Sequence, residues 1–148
     1  MTAGAARYGG VAIALHWTTA ALVVGGFALG LYMTGLDFSP ARLEYFAWHK
    51  WIGITVFVVA AARLAWRAAV PPPLPDGVPP WQRHAATAVH RLLYALLLAV
   101  PVSGWLYSSA TGVSVVYLGA VPLPNLIGKD REVARWLLLL HQSLNFTL

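Results

Sequence analysis

The sequence predicts an all-α membrane protein, an up-and-down bundle of four transmembrane helices in which the fourth helix is cut short. Apolar residues make up 59% of the 148 residues and charged residues only 10%, whereas a soluble domain is about 45–50% apolar and about 25% charged. The 10 Lys/Arg and 5 Asp/Glu residues are clustered, so long uncharged stretches remain, which is typical of bilayer-spanning helices. We expect residues 1–148 to form a single transmembrane domain.

The composition excludes several kinds of chemistry. Because the chain contains no cysteine, it has no disulfide, thiolate zinc site, cysteine-ligated iron–sulfur cluster or C-x-x-C-H haem attachment. Its net charge of +5 is scattered, so a nucleic-acid partner is not expected. The sequence has no nucleophile elbow, P-loop, dinucleotide fingerprint or H-E-x-x-H motif, and acid–base catalysis is not expected. A cofactor would therefore depend on histidine, carboxylate or backbone groups.

The first two helices are predicted at about 10–33 and 46–66. Residues 11–33 contain no Asp, Glu, Lys or Arg. This stretch is longer than the roughly 7–15 apolar residues of a signal peptide, so we interpret it as a retained span. In the second helix, Lys50 and Arg63 stand near the two ends, where long side chains can reach the lipid headgroups.

A proline-rich segment at 70–80 separates the two helical pairs. Proline lacks an N–H and restrains the residue before it, so we expect a stiff, extended linker with partial polyproline II character. The third helix is predicted at 82–109 and contains Pro101, which neighbouring helices can accommodate in a membrane bundle. Residues 113–127 are expected to form a loop that lies in the membrane interface or covers the bundle end.

The fourth helix is predicted at 132–148. Its uncharged part, 136–148, would be about 20 Å long as a helix, which is too short to cross a bilayer. We interpret the sequence as a fragment of a longer protein; a re-entrant or interfacial helix is the alternative.

Lys and Arg are divided equally between the two ends of the predicted bundle. One end carries Arg7, Arg63, Arg67, Arg83 and Arg91, and the other carries Arg42, Lys50, Lys129, Arg131 and Arg135. The second end also holds most of the acidic residues, although acidic residues contribute little to membrane orientation. We predict a multi-pass protein of the bacterial inner membrane with a cytoplasmic N-terminus.

The histidines fall into two layers when they are placed along alternating helices. His49 near the start of the second helix and His141 in the fourth helix lie at the same end of the bundle. His16 lies toward the opposite end, together with His84 or His90. His84 and His90 are separated by roughly 120° around a helix, so at most one of them faces the same partner.

Two imidazoles at one depth can hold a haem iron at both of its axial positions. A polar imidazole among apolar helices is costly and normally has a partner in the bundle interior, and bundle cores commonly hold cofactors. When protein fills both axial positions, the iron has no free site for oxygen or substrate, which favours electron transfer. For each histidine taken alone, the alternative is a hydrogen bond across helices or a position at the interface.

Several neighbouring residues fit a haem site and equally fit an ordinary membrane helix. Gly53 shares a helix face with His49 and leaves room for a flat macrocycle. Arg63 and Arg67 can pair with haem propionates at one end of the bundle, and Lys50 can do so at the other. Snorkelling anchors would occupy the same positions as these three cations.

Six short motifs follow one another along the chain: Ala14-Leu15-His16-Trp17, Trp48-His49-Lys50-Trp51-Ile52-Gly53, Arg63-Leu64-Ala65-Trp66-Arg67, His90-Arg91-Leu92-Leu93-Tyr94, Pro101-Val102-Ser103-Gly104-Trp105 and His141. Each motif alone is weak, but their order and spacing together are specific. On these residues the chain resembles the bacterial cytochrome b561 family of four-helix, di-haem b membrane proteins, and the resemblance covers nearly the whole sequence.

The resemblance implies that His49 and His141 ligate one haem on the periplasmic side, and that His16 ligates a second haem near the cytoplasm. The family's partner for His16 would lie about four turns beyond His141, at about residue 155, past Leu148. Either the sequence is a fragment, which we favour, or the inner haem is absent, or another group such as His90 replaces the ligand. The resemblance also implies electron exchange with a membrane quinone such as ubiquinone.

The predicted function is therefore transmembrane electron transfer by a b-type cytochrome, between haem b groups and a quinone pool or another one-electron partner such as superoxide. One alternative is a cytochrome b anchor subunit of a larger dehydrogenase or hydrogenase complex. Another is a haem-free transporter or assembly factor that uses His16 and His90 in a proton relay, although the predicted spans contain no carboxylate to support it. A homodimer and a larger redox complex are both compatible with the sequence.

Overall fold

The computed structural model describes residues 8–71 and 77–148. Within these ranges the chain forms four helices, α1 (Gly10–Thr34), α2 (Pro40–Ala69), α3 (Pro80–Thr111) and α4 (Arg131–Thr147), and a short antiparallel hairpin of β1 (Val116–Tyr117) and β2 (Val121–Pro122). Helix α1 packs against α2, α2 against α3, and α3 against α4. The predicted mostly helical bundle is confirmed.

The surface of the bundle is apolar, and small polar residues lie inside it. In the described part of the chain, α1, α2 and α3 are long and apolar enough to cross a membrane. Large side chains such as Trp17 and Val24 are 67% and 68% exposed, whereas Ser103 and Ser109 are buried. Small interior residues let helices approach closely when lipid, rather than the core, surrounds the large side chains. The fold is that of a multi-pass membrane protein.

Helix α2 begins at Pro40, about a turn and a half before the start predicted near residue 46. The Ser39 side chain caps this helix by accepting a hydrogen bond from the Arg42 backbone N–H at 3.2 Å. Proline suits the first helical turn because the N–H it lacks would have no partner there. The polar residues of this first turn are not part of an apolar span, which is why hydropathy placed the helix start too late.

The segment between α3 and α4 folds back onto the bundle as the β1–β2 hairpin. Leu118, with a φ of 53°, lies in its turn. The Trp51 indole N–H of α2 donates to the Val116 carbonyl at 2.7 Å, and the Tyr117 hydroxyl lies 3.0 Å from a threonine hydroxyl of α2. The loop expected over 113–127 is therefore a hairpin fastened to α2.

Part of the predicted proline-rich linker lies outside the described residues. Its residues 72–76 are among those not described, as is Arg7, which entered the predicted charge balance.

Asp130 caps helix α4, because its carboxylate accepts hydrogen bonds from the backbone N–H groups of Glu132 and Val133.

Candidate cofactor site

The structure brings His49 and His141 together at one depth of the bundle. His49 is contributed by α2 and His141 by α4, and their ring centres lie 6.2 Å apart with ring planes at 89°. Both side chains are partly buried between helices. The two elements begin at the same end of the molecule, so this pair forms through alternation of helix direction rather than through sequence proximity.

A backbone carbonyl fixes the orientation of the His49 ring. Its Nδ1 lies 3.1 Å from the Gly26 carbonyl oxygen of α1. A carbonyl oxygen only accepts hydrogen bonds, so Nδ1 must carry the proton and donate it. The other ring nitrogen, Nε2, then keeps a free lone pair, as a metal-ligating histidine requires.

The His141 ring is held in the same tautomer by α3. Its Nδ1 lies 3.0 Å from the Val100 carbonyl oxygen and 3.0 Å from the Ser103 hydroxyl. The Ser103 hydroxyl donates its own proton to the Val100 carbonyl at 2.7 Å, so its oxygen can accept from Nδ1–H. His141 thus also keeps Nε2 free, and each ring has the second hydrogen bond that orients metal-ligating imidazoles.

The distance between the two rings suits one six-coordinate iron. A metal–imidazole bond is about 2 Å long and the ring centre lies about 1 Å behind the nitrogen, so two imidazoles on opposite sides of one iron have centres about 6 Å apart. The observed separation is 6.2 Å. Within the described residues, no group of three or more His, Cys, Asp or Glu is placed to hold a metal ion. A porphyrin fits this donor set because it supplies the other four ligands itself.

Three glycines leave the space that the two rings and a flat ligand need. A Cβ built on Gly104 would lie 2.9 Å from Cε1 of His141, and a Cβ on Gly30 would lie 3.2 Å from Cε1 of His49. These two positions therefore let the rings pack directly against helix backbone. A Cβ on Gly53 would meet nothing within 4 Å, so this position faces open space beside His49.

An apolar cleft surrounds the pair. It is a small, partly open cleft of about 50 Å³, and all four helices contribute to its wall. Besides the two histidines and Gly53, the lining is mainly aliphatic and aromatic, including Leu22, Val23, Phe27, Ile52, Val56, Leu97 and Val100. The residues present thus fit a haem in polarity and ligand set.

The remaining predicted site residues lie elsewhere. Arg63 donates from its guanidinium to Nδ1 of His16 at 2.9 Å, and the guanidinium carbons of Arg63 and Arg67 lie 5.3 and 5.9 Å from the Tyr94 ring centre. These residues form a second cluster at the end of the bundle where α1 begins and α2 ends. His90 is exposed, and its ring donates through Nδ1 to the carbonyl one turn earlier in α3.

Lys50 follows His49 in α2 and is partly buried. Successive helix residues point about 100° apart, so Lys50 does not share the histidine face that contains Gly53. The structure also adds residues that the sequence analysis did not assign to the site: the carbonyls of Gly26 and Val100, and the Ser103 hydroxyl. No pattern of residue types marks a carbonyl acceptor, because every residue carries one.

Removing the Ser103 hydroxyl should loosen His141 without removing it. We expect Ser103→Ala to weaken haem affinity by up to about tenfold, because the Val100 carbonyl still holds the ring while one of its two partners is lost. The rate of haem transfer to an excess of apomyoglobin measures this effect. Ser143→Ala, at an exposed position of α4, is the control; an equal change in both variants would contradict the role of Ser103.

Two histidines that meet in an apolar cleft between helices are typical of membrane proteins that hold a haem inside a transmembrane bundle. The family model described as prokaryotic cytochrome b561 matches residues 7–148. Cytochrome b561 homolog 2 of Escherichia coli strain K12 is 39% identical over 126 residues, which cover 80% of this chain and 64% of that relative. The chain belongs to the prokaryotic cytochrome b561 family, as its motifs predict, and spans less than two thirds of that relative's length.

Proposed function

We propose that His49 and His141 ligate one haem b through their Nε2 atoms, and that the protein transfers single electrons through this group. The observation that carries the proposal is the 6.2 Å separation of two rings whose Nδ1 atoms are both committed to backbone carbonyls. This arrangement leaves one free lone pair on the Nε2 atom of each ring. A haem bound there supplies one-electron redox chemistry.

The chain's own residues prepare the cleft for electron transfer rather than for catalysis on iron. With His49 and His141 as its ligands, a bound haem would offer no coordination site to oxygen or substrate. The aliphatic lining of the cleft excludes water, which keeps the surroundings rigid and of low polarity when the charge of the haem changes. Gly26, Val100 and Ser103, which accept hydrogen bonds from the two rings, hold both imidazoles in place.

We further propose that the cluster around His16 serves a second haem at the opposite end, with Arg63 and Arg67 near its propionates. In the structure the His16 Nδ1 accepts from the Arg63 guanidinium, so the ring proton resides on Nε2. For Nε2 to ligate iron, the ring proton must move to Nδ1, so Arg63 must give up its hydrogen bond to Nδ1. His16 also needs a second ligand, for which we propose His90.

The membrane setting supports a lipid-soluble electron partner. We propose a quinone of the bilayer, with ubiquinone as the first candidate, since an electron carrier embedded among three apolar helices meets lipid-soluble partners most readily. We also propose that the chain forms a single transmembrane domain in the bacterial inner membrane, with its N-terminus in the cytoplasm.

The test uses the whole chain, expressed with added haem precursor and purified in detergent. We expect a reduced-minus-oxidised spectrum with a b-type α band, and reduction of the haem when a short-chain ubiquinol is added. The double variant His49→Ala/His141→Ala is the control and should lack the band. Folded helical protein without any haem band would contradict the haem assignment, whereas a haem band that no quinol reduces would contradict only the quinone partner.

A further inference from the structure

Arg42 carries a buried polar atom that the fold leaves without a partner. Its Nε is buried and makes no hydrogen bond to any described residue. The guanidinium carbon lies 5.5 Å from the ring centre of Phe46, one turn further along α2. The side chain therefore runs along the helix toward His49 instead of extending away from the helix start.

This placement is unfavourable unless an anion completes it. Arg42 lies in the first turn of α2, where the helix dipole disfavours a cation, and a buried N–H without an acceptor costs free energy. The backbone N–H of Arg42 is already satisfied by the Ser39 hydroxyl, so the unmet demand belongs to the guanidinium alone. Contact with the face of Phe46 offers no acceptor in the plane of Nε–H.

The position of Arg42 indicates which anion it meets. Seven residues correspond to nearly two full helical turns, so Arg42 and His49 point in almost the same direction and are separated by about 10 Å along the axis. Gly53, on the same stripe, lines the cofactor cleft. A porphyrin carries its two propionate carboxylates on one edge, and the two arginines of the sequence prediction, Arg63 and Arg67, lie at the other end of the bundle with His16.

We propose that Arg42 binds a propionate of the haem that His49 and His141 hold, an inference that rests on the proposed function. The guanidinium fork matches a carboxylate and forms charge-assisted hydrogen bonds. Its positive charge favours the ferrous form of the haem over the more positive ferric form, so Arg42 raises the reduction potential. An anionic lipid headgroup is the other source of an anion at this end of a membrane helix, and it would leave the haem potential unaffected by Arg42.

The experiment compares four forms of the full chain loaded with haem: wild type, Arg42→Gln, Arg42→Lys and Arg135→Gln. Arg135 is exposed on α4 near the same end of the bundle and serves as the matched control. We expect Arg42→Gln to lower the reduction equilibrium constant about tenfold, which is about 59 mV for a one-electron couple. We also expect it to shift the propionate bending bands in the resonance Raman spectrum. Arg42→Lys should recover most of the potential, and Arg135→Gln should match wild type.

Each outcome is decisive. The proposal is overturned if Arg42→Gln matches wild type in potential and propionate bands, which would favour the lipid headgroup, or if Arg42→Lys changes the potential as much as Arg42→Gln. Loss of haem in Arg42→Gln supports the proposal when Arg42→Lys restores haem and contradicts it when Arg42→Lys does not. The spectra of His49→Ala and His141→Ala test the ligand assignment without changing Arg42, so failure of the proposed function is distinguished from failure of this inference.

Discussion

Replacing His141 with alanine is expected to remove the low-spin haem spectrum of this chain. On the proposed ligand assignment, the variant would leave a bound haem with a single imidazole ligand, and it would open a cavity beside Gly104, whose backbone the ring now covers. Loss of a direct ligand should exceed the 10- to 100-fold loss of affinity, or about 1.4 to 2.8 kcal/mol, that removal of a ligand's supporting partner typically causes. Haem content per protein, measured as the pyridine haemochromogen, and the absorption spectrum give the result.

His49→Ala should behave in the same way, because both rings contribute to one site. His84→Ala, at an exposed position near the start of α3, is the matched control and should retain the wild-type spectrum. Added imidazole should restore low-spin character to either ligand variant by entering the vacated space. An unchanged spectrum in His141→Ala or His49→Ala would contradict the ligand assignment.

Adding one methyl group at Gly104 is expected to have the second-largest effect. The new Cβ would lie 2.9 Å from the His141 ring, and the ring cannot retreat freely because Val100 and Ser103 hold its Nδ1. Gly104→Ala should therefore displace the ligand and lower haem affinity by at least about tenfold, since small misplacements of a coordinating group are costly. Haem dissociation rates measure the change.

A graded series makes this prediction specific. Gly30→Ala places its Cβ 3.2 Å from the His49 ring and should have a smaller effect, whereas a Cβ at Gly25 meets nothing within 4 Å and Gly25→Ala should have none. Circular dichroism checks that all three variants keep their helices. Equal haem loss at Gly104 and Gly25 would show that the effect does not come from contact with the ligand.

The pairing of His49 with His141 could be predicted because it depends only on helical rise and alternating direction. Depth along a spanning helix is fixed by residue count, and an uncharged stretch reveals where each span lies. The same reasoning placed His16 at the other end, where the structure has it in contact with Arg63. Errors of a turn at a helix start, such as that of α2, do not disturb this count.

Contacts that depend on the rotation of each helix about its axis could not be predicted from the sequence. The spacing of Gly26 and Gly30 indicates close helix packing, but only the structure shows the Gly26 carbonyl accepting from His49 and Gly30 lying under its ring. A residue pattern likewise does not reveal the unsatisfied Nε of Arg42, because the sequence does not distinguish a buried arginine at a helix start from an exposed one. The proton position on each imidazole follows from its acceptor and not from its neighbours in sequence.

Electron paramagnetic resonance of the oxidised, haem-loaded chain, labelled with ¹⁵N in its histidines, tests the central claim most directly. With two imidazoles whose planes lie at 89°, we predict a strongly anisotropic low-spin ferric signal with hyperfine couplings to two axial histidine nitrogens. A high-spin signal, or coupling to only one histidine, would contradict the account.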